Sequence, residues 1–248
     1  MEQIKFVQIS DLHIGGEGFK AYGVDVRQNF LQVLDRLNGL SFDYLIVSGD
    51  LCFRDSDQKV YDWIRERLAG LGIPYFIIPG NHDMSSDLAC AFQLEDYLQE
   101  GELYYSKNLQ GLTCFFLDTS TGRISSSQLQ WLQREIRRAK QVGPIFMHHP
   151  PAICGIPYMD SNYSLQDRET FQETINETEG PVIFCGHYHA EKSLKVNNMS
   201  IFLTPATFFQ IGQRKNEFAV AHHQPGWREI VWEDGRVLTR ACYIFPAG

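Results

Sequence analysis

The sequence predicts an α/β fold. Short apolar runs that are typical of buried strands alternate with segments of helical apolar spacing over about the first 190 residues. Beyond them the pattern changes to short strands without helices, which indicates an antiparallel region. The chain has 248 residues and no linker or low-complexity segment, so we expect one domain over residues 1–248.

The same patterns predict the individual elements in chain order. Apolar residues near helical spacing predict helices over residues 24–37, 58–69, 86–97, 126–139 and 164–175. Apolar runs predict strands over residues 6–9, 44–47, 76–78, 103–107, 112–117, 144–148 and 181–185. From residue 192 onward we expect an antiparallel meander that forms a second sheet packed on the first, and Asp234-Gly235 is typical of its hairpin turn.

The composition limits the partners of the chain. It has 22 basic and 30 acidic residues and a formal net charge of −8, which argues against nucleic acid, since tracking a phosphate backbone needs clustered Lys and Arg. The longest apolar stretches reach about half the length of a membrane span, and residues 1–5 lack a signal-peptide core. We therefore expect a soluble cytoplasmic protein without a membrane partner, and buried free thiols at its six cysteines.

Metal-ligand side chains directly follow five of the apolar runs. They belong to Asp11 and His13, Asp50, Asn81 and His82, His148 and His149, and His187 and His189. Six of the eight histidines lie in these segments. Because ligands of open α/β sheets bind beyond the carboxyl ends of the strands, we expect these side chains to form one site.

The chemistry of this set favours a phosphate ester as the substrate. Carboxylate, imidazole and amide ligands together suit Mn, Fe or Zn better than Ca or Mg. The two carboxylates, Asp11 and Asp50, cannot neutralise two divalent ions, so the site stays positive. Two such ions can activate a bridging water and clamp the attacking and leaving oxygens of an in-line displacement. Asp50 is the expected bridging ligand, His82 the expected general acid, and Asp83 is expected to orient His82 or raise its pKa.

The motifs resemble those of the calcineurin-like metallophosphoesterases. The family signature is D-x-H, G-D, G-N-H-D/E, H and G-H-x-H, and this chain carries it as residues 11–13, 49–50, 80–83, 148 and 186–189, in that order. The resemblance implies a four-layer αββα sandwich of two mixed sheets. It also implies one metal ion held by Asp11, His13, Asp50 and His189, and a second held by Asp50, Asn81, His148 and His187. Mn or Fe, a mixed Fe/Mn pair, or Zn would fill these positions.

The resemblance also implies the residues that meet the substrate. His82 takes the position of the family's catalytic histidine near the scissile phosphate, with Asp83 beside it. Asn81 and His149 are the further candidates for substrate contact. Only one of the adjacent His148 and His149 can be a direct ligand, so His149 lies either behind the ligands or against the substrate.

Within that family, the chain most resembles class III cyclic nucleotide phosphodiesterases of the bacterial cAMP type. The segments that carry this resemblance are 148–151, 158–160, 204–210 and 225–228. Ala206 and Phe208 depart from that pattern, in which Ser and Cys are common. The implied activity is hydrolysis of 3′,5′-cAMP to 5′-AMP, and dimers are common in the group, so a homodimer is allowed. The alternatives are a broader phosphoesterase, which would act on 2′,3′-cyclic nucleotides, glycerophosphodiesters or phosphomonoesters, a DNA nuclease, and a non-catalytic scaffold.

Two further features each allow two interpretations. His222 and His223 lie in a predicted strand, where a structural or surface role is favoured over a second site. Tyr158 and Tyr163, in the loop over residues 152–163, either stack on a nucleobase or pack the loop down.

Overall fold

The computed structural model describes residues 3–245. Its helices are α1 (Val26–Asn38), α2 (Gln58–Ala69), α3 (Ser85–Phe92), α4 (Ser126–Arg138), α5 (Pro157–Asn162) and α6 (Arg168–Thr174), with a short 3₁₀ helix over Glu95–Tyr97. Its strands are β1 (Ile4–Ile9), β2 (Lys20–Ala21), β3 (Val24–Asp25), β4 (Tyr44–Ser48), β5 (Tyr75–Ile78), β6 (Leu98–Gln99), β7 (Glu102–Leu103), β8 (Tyr105–Leu109), β9 (Leu112–Phe116), β10 (Val142–Phe146), β11 (Val182–Cys185), β12 (Lys192–Val196), β13 (Met199–Leu203), β14 (Gln210–Ile211), β15 (Val220–His222), β16 (Gly226–Glu233) and β17 (Arg236–Tyr243).

Two mixed sheets pack face to face at the centre of the molecule. The first has the strand order β17-β16-β1-β4-β5, and the second has the order β12-β13-β11-β10-β9-β8. Aromatic side chains join the two: the ring of Phe6 lies 6.2 Å from that of Phe146, and the ring of Phe76 lies 5.1 Å from that of Phe116. Their buried faces belong to one hydrophobic cluster. The predicted α/β class is confirmed.

The parallel strands position the helices. β1, β4 and β5 run parallel and are connected through α1 and α2, and β9, β10 and β11 run parallel with α4, α5 and α6 between them. Right-handed crossovers place the connecting helices of each sheet on one face of it. Since the other faces pack against each other, the layers follow the αββα order that the sequence resemblance implied.

The prediction that the residues after 192 form a sheet of their own is wrong. β12 and β13 extend the second sheet, while β16 and β17 extend the first, where β16 pairs antiparallel with β1. The sequence pattern showed short strands correctly but could not show their partners, because either sheet offered an open edge. The predicted hairpin turn is confirmed, since Asp234 and Gly235 have φ of 48° and 74° and join β16 to β17.

Several predicted helix bounds shift for local reasons. The first helix begins at Val26 rather than at residue 24, because β3 pairs with β2 and the Asp25 side chain then caps α1 by accepting from the Gln28 amide. The helix expected over 86–97 ends at Phe92, where Gln93 turns left-handed with φ of 58°. The helix expected over 164–175 is shorter, and α5, which begins at Pro157, was not predicted.

All six cysteines are free thiols. Cys52, Cys114, Cys154 and Cys185 are buried as expected, whereas Cys90 is exposed and Cys242 is half-buried. Within residues 3–245, no helix combines the length and the apolar character that crossing a membrane would take.

Candidate metal centre

The five ligand-bearing loops meet at one end of the molecule. The loops after β1, β4 and β5 come from the first sheet, and those after β10 and β11 come from the second, so the site lies between two sheets rather than at the edge of one. Hydrogen bonds join the two halves. The amide of His187 donates to the Asp11 carboxylate at 3.0 and 3.1 Å, and His148 Nδ1 donates to the Ser48 carbonyl at 2.8 Å.

Five of the seven expected ligands have left-handed backbone. The φ angles are 55° at Asp11, 47° at His13, 54° at Asp50, 65° at His187 and 44° at His189. Each such conformation costs on the order of 1–3 kcal/mol for a residue other than glycine and persists only where the surroundings enforce it. Amide hydrogen bonds between the loops supply that constraint, such as Asp11 to the Gly49 carbonyl at 3.0 Å and His13 to the Asp50 carbonyl at 2.9 Å.

Two of the motif glycines permit this close approach of the loops. A Cβ at Gly80 would lie 2.2 Å from Asp50 Oδ1, and a Cβ at Gly186 would lie 1.9 Å from Ser10 Oγ. Neither position has room for a side chain. The glycines of the sequence motifs are therefore explained by packing between adjacent strand ends.

One group of possible metal ligands consists of Asp11, His13 and His189. Their ligand atoms all lie within 4.8 Å of one another. His189 Nε2 is 3.4 Å from Asp11 Oδ1 and 3.0 Å from His13 Nε2. All three side chains are buried, so the group offers one carboxylate and two imidazoles to a cation.

A second group consists of Asp50, His148 and His187, again within 4.8 Å. Asp50 Oδ2 lies 3.4 Å from His148 Nε2 in its own group and 3.5 Å from His13 Nε2 in the first. Its other oxygen accepts from the His82 amide at 2.9 Å, which fixes the carboxylate. Asp50 thus faces both groups, as a bridging ligand must.

Hydrogen bonds to carbonyl oxygens orient three of the imidazoles. His189 Nδ1 donates to the Phe209 carbonyl at 3.0 Å, and His187 Nε2 donates to the Tyr163 carbonyl at 2.9 Å, as His148 Nδ1 does to Ser48. A carbonyl can only accept, so in the neutral form of each ring the opposite nitrogen keeps its lone pair. His148 Nε2 is buried without a hydrogen-bond partner. This donor set fits a pair of divalent metal ions.

The electrostatics keep Asp11, His13 and His187 in the forms that metals bind, whereas they favour a proton on His148. Burial acts to raise the pKa of Asp11, but the imidazoles of His189 and His148 outweigh it and lower the pKa to about 2. Burial lowers the pKa of His13 to about 4 and that of His187 to about 3. Burial also acts to lower the pKa of His148, yet the two buried carboxylates raise it to about 9. A cation at the site therefore competes with a proton on His148.

His82 and Asp83 point in different directions. His82 lines the cavity above the ligands, and its Nδ1 lies 2.8 Å from the Arg54 carbonyl. The buried Asp83 carboxylate instead accepts from the amides of Leu51 and Gly80 and from the Tyr61 hydroxyl at 3.0 Å. The expectation that Asp83 orients the His82 ring is not met, because the carboxylate is used to join the loops after β4 and β5. Burial and the charge of Asp50 raise the pKa of Asp83 to about 6.

His149 and Asn81 are also placed differently from each other. His149 is 3% exposed, its ring lies 4.0 Å from that of His187, and its Nδ1 lies 3.0 Å from Thr119 Oγ1. This position behind the ligands favours support over substrate contact. Asn81 is exposed and lines the cavity beside His82. His222 lies outside the cavity, with its ring 5.4 Å from that of Tyr243.

Above the two ligand groups lies an open cavity of about 560 Å³. Its floor is polar, and much of its wall is aromatic. The aromatic wall residues are Tyr22, Phe53, Tyr158, Tyr163, Phe208, Phe209 and Phe218. Sequence reasoning left Tyr158 and Tyr163 open and missed the others as site residues, although Tyr22 is next to Gly23 and Phe208 and Phe209 are adjacent. Arg54 is the only Lys or Arg among the described residues that line this cavity.

Comparison with known proteins identifies the family. The family model for calcineurin-like phosphoesterases matches residues 4–191, so the chain belongs to that family. A probable cyclic nucleotide phosphodiesterase of Fibrobacter succinogenes is 34% identical to it, with 97% of this chain and 94% of that protein covered. The 3′,5′-cyclic adenosine monophosphate phosphodiesterase CpdA of Vibrio vulnificus is 27% identical, with 96% and 89% covered. The chain is thus a metal-dependent phosphodiesterase with a small phosphate-ester substrate.

Two further comparisons bear on substrate and fold. A probable glycerophosphodiester phosphodiesterase GpdQ of Arcobacter nitrofigilis is 30% identical, with 96% of this chain and 92% of that protein covered. The crystal structure of a dimetal phosphatase from Danio rerio superposes with a TM-score of 0.67 at 14% identity, with 95% of this chain and 98% of that chain covered. The structural likeness confirms the metallophosphoesterase fold.

Proposed function

We propose that this chain is a binuclear-metal phosphodiesterase of cyclic nucleotides, with 3′,5′-cAMP as the substrate and 5′-AMP as the product. The position of Asp50 Oδ2 carries the proposal, since it lies 3.5 Å from His13 Nε2 and 3.4 Å from His148 Nε2 and so faces both ligand groups. The relatives named as cyclic nucleotide phosphodiesterases, which align over nearly the whole chain, support the substrate.

The ligand groups support two metal positions. We assign one ion to Asp11, His13, Asp50 and His189, and the other to Asp50, Asn81, His148 and His187. Mn or Fe, a mixed Fe/Mn pair or Zn suit these nitrogen and oxygen donors. When bound, such a pair of ions supplies an activated water and offsets the negative charge of the phosphoryl oxygens.

A residue of the chain protonates the leaving group. Opening the cyclic diester forms a P–O bond to the water oxygen and breaks the P–O3′ bond, and O3′ must gain a proton. His82 lines the cavity with Nδ1 held by the Arg54 carbonyl at 2.8 Å, so Nε2 is the nitrogen that holds the proton for O3′. Since Nδ1 also carries a proton, the proton for O3′ is donated from the imidazolium form of the ring. Asn81 lies beside it at the cavity wall.

A broader phosphoesterase is the second candidate, and the relative named as a glycerophosphodiester phosphodiesterase at 30% identity favours it. A nuclease fits less well, because the net charge is −8 and the cavity of about 560 Å³ suits one nucleotide. A scaffold would not need the strained and fully assembled ligand loops. The homodimer and the cytoplasmic location stay predictions from the sequence.

The test is a substrate panel with the Mn²⁺-loaded protein. We expect the highest kcat/KM for 3′,5′-cAMP, with 5′-AMP as the product separated by chromatography. The panel includes 2′,3′-cAMP, glycerophosphocholine and p-nitrophenyl phosphate. A higher kcat/KM for glycerophosphocholine would replace the proposal with the second candidate, and no turnover of any member with two ions bound would overturn both.

A further inference from the structure

One side of the cavity is an unbroken arc of aromatic rings, formed by Tyr163, Tyr158, Phe218, Tyr22 and Phe208. Successive ring centroids along this aromatic arc are 5.7, 5.8, 5.6 and 6.0 Å apart. These spacings fall within the range of interacting aromatic pairs. The five rings therefore form one continuous row, in which Phe208 is buried and the other four are at least partly exposed.

The aromatic arc begins and ends at the proposed metal ligands. The ring of Tyr163 lies 6.3 Å from that of His187 in one ligand group, and the ring of Phe208 lies 5.3 Å from that of His13 in the other. A molecule whose phosphate sits on the cavity floor must therefore extend past these rings. The arc belongs to the same site and not to a distant surface.

Three rings of the aromatic arc are open to solvent. Tyr22 is 57% exposed, Tyr163 is 46% exposed and Phe218 is 38% exposed. Large aromatic side chains of a monomeric protein are usually buried more deeply, and grouped exposed rings mark binding surfaces. Core packing does not account for these three positions, so they are available to a ligand.

Local structure holds the rings of the aromatic arc in place before any ligand arrives. Tyr22 and Gly23 have φ of 50° and 78° and form the two-residue turn between β2 and β3. The Asp160 carboxylate accepts from the Cys154 and Ile156 amides and from the Tyr188 hydroxyl, which fixes the segment that carries Tyr158 and Tyr163. A rigid surface loses little conformational entropy on binding.

The cavity lining also includes polar side chains. They are those of His82, Asn81 and Arg54, so the lining offers two kinds of contact. A ligand with a flat apolar part and a phosphate ester would be held in one orientation, with the flat part on the aromatic arc and the leaving oxygen toward His82. Three phenol groups on the arc also offer hydrogen bonds to polar ring edges, and those of Tyr158 and Tyr163 lie 3.4 Å apart.

We infer that the aromatic arc binds the nucleobase of the substrate by stacking, with Phe218 at the centre of the stacking surface. The inference rests on the proposed function and adds the residues that would select a nucleotide over a glycerol ester. An acyl chain would need a deep dry pocket, whereas these rings lie at an open mouth with phenols between them. Replacing one stacked ring by alanine weakens binding of the base by an amount that can be measured.

The experiment compares 3′,5′-cAMP with the abasic ribose 3′,5′-cyclic phosphate, using Mn²⁺-loaded wild type, Phe218→Ala and Phe245→Ala. Phe245 is the matched control, because it is an exposed phenylalanine outside this cavity. We expect wild type to prefer cAMP and Phe218→Ala to lose about 5- to 100-fold of that preference in kcat/KM. Phe245→Ala should keep the preference of wild type. Tyr22→Ala, on a separate hairpin, should lose preference in the same direction.

A binding measurement separates this inference from the proposed function. Calorimetry should show that wild type binds 5′-AMP more tightly than ribose 5-phosphate and that Phe218→Ala reduces this difference by the same factor. Equal affinity of wild type for the two compounds would overturn the inference even if cAMP is hydrolysed. A base preference in binding without hydrolysis of cAMP would instead retain the aromatic arc and overturn the proposed reaction.

Discussion

The floor of the cavity and the aromatic arc are built in opposite ways. On the floor, Asp11, Asp50 and His189 are buried on left-handed backbone at strand ends and are held by hydrogen bonds between loops. On the arc, Tyr22 and Phe218 are exposed and lie on connections outside the two sheets. The floor is suited to chemistry that every phosphodiester shares, whereas the arc is suited to selecting one class of ester. The two can therefore be changed separately.

The largest effect should come from Asp50→Asn on the floor. Asp50 faces both ligand groups, so losing its charge weakens both metal positions at once. We expect fewer than two bound ions per chain by elemental analysis and a fall in kcat/KM of at least about 1,000-fold for every substrate of the panel. Asp35→Asn, an exposed carboxylate on α1, is the control and should keep wild-type metal content. Two tightly bound ions in Asp50→Asn would contradict the bridging assignment.

His82→Ala should separate proton donation from metal binding. The side chain lines the cavity but belongs to neither of the two proposed sets of metal ligands. We expect kcat to fall by about 10²- to 10⁴-fold, which is the usual contribution of a general acid, while the metal content stays at the wild-type value. The loss should be smaller for p-nitrophenyl phosphate, whose leaving group needs no proton. An equal loss for both substrates would argue against the role of His82 as an acid.

Tyr61→Phe should have an intermediate effect, because it removes one support of the floor. The buried Tyr61 hydroxyl donates to Asp83 at 3.0 Å. The substitution removes this hydrogen bond and keeps the backbone amides that also donate to the carboxylate. We expect a loss of about 1–2 kcal/mol in the free energy of unfolding, measured with urea, and a fall of several-fold in kcat. Tyr44→Phe, at a half-buried tyrosine, is the control and should cost less than about 0.5 kcal/mol. Equal losses in the two variants would show that the link to Asp83 adds nothing.

The difference between the floor and the aromatic arc also explains which parts of the site the sequence predicts. The floor was predictable, because each ligand follows a short apolar run by one to four positions and strand ends converge. The use of two sheets was not, since strand partners are set by tertiary packing. The contact between Asp83 and Tyr61 joins residues 22 positions apart and leaves no local pattern. Of the aromatic arc, the sequence offered only Tyr158 and Tyr163 as candidates for base contact. Tyr22, Phe208 and Phe218 were missed for a related reason: they come from separate segments that show no shared spacing.

The smallest effect should come from Tyr163, which belongs to the floor and the arc at the same time. Its backbone carbonyl accepts from His187 Nε2 at 2.9 Å, while its ring lies on the aromatic arc. Tyr163→Phe keeps both and should change the KM for 3′,5′-cAMP by less than about threefold. Tyr163→Ala keeps only the carbonyl, so KM should rise about fivefold or more while metal content stays at the wild-type value. If Tyr163→Ala lost a metal ion, the ring would be supporting His187, and the floor and the arc could not be treated as independent parts.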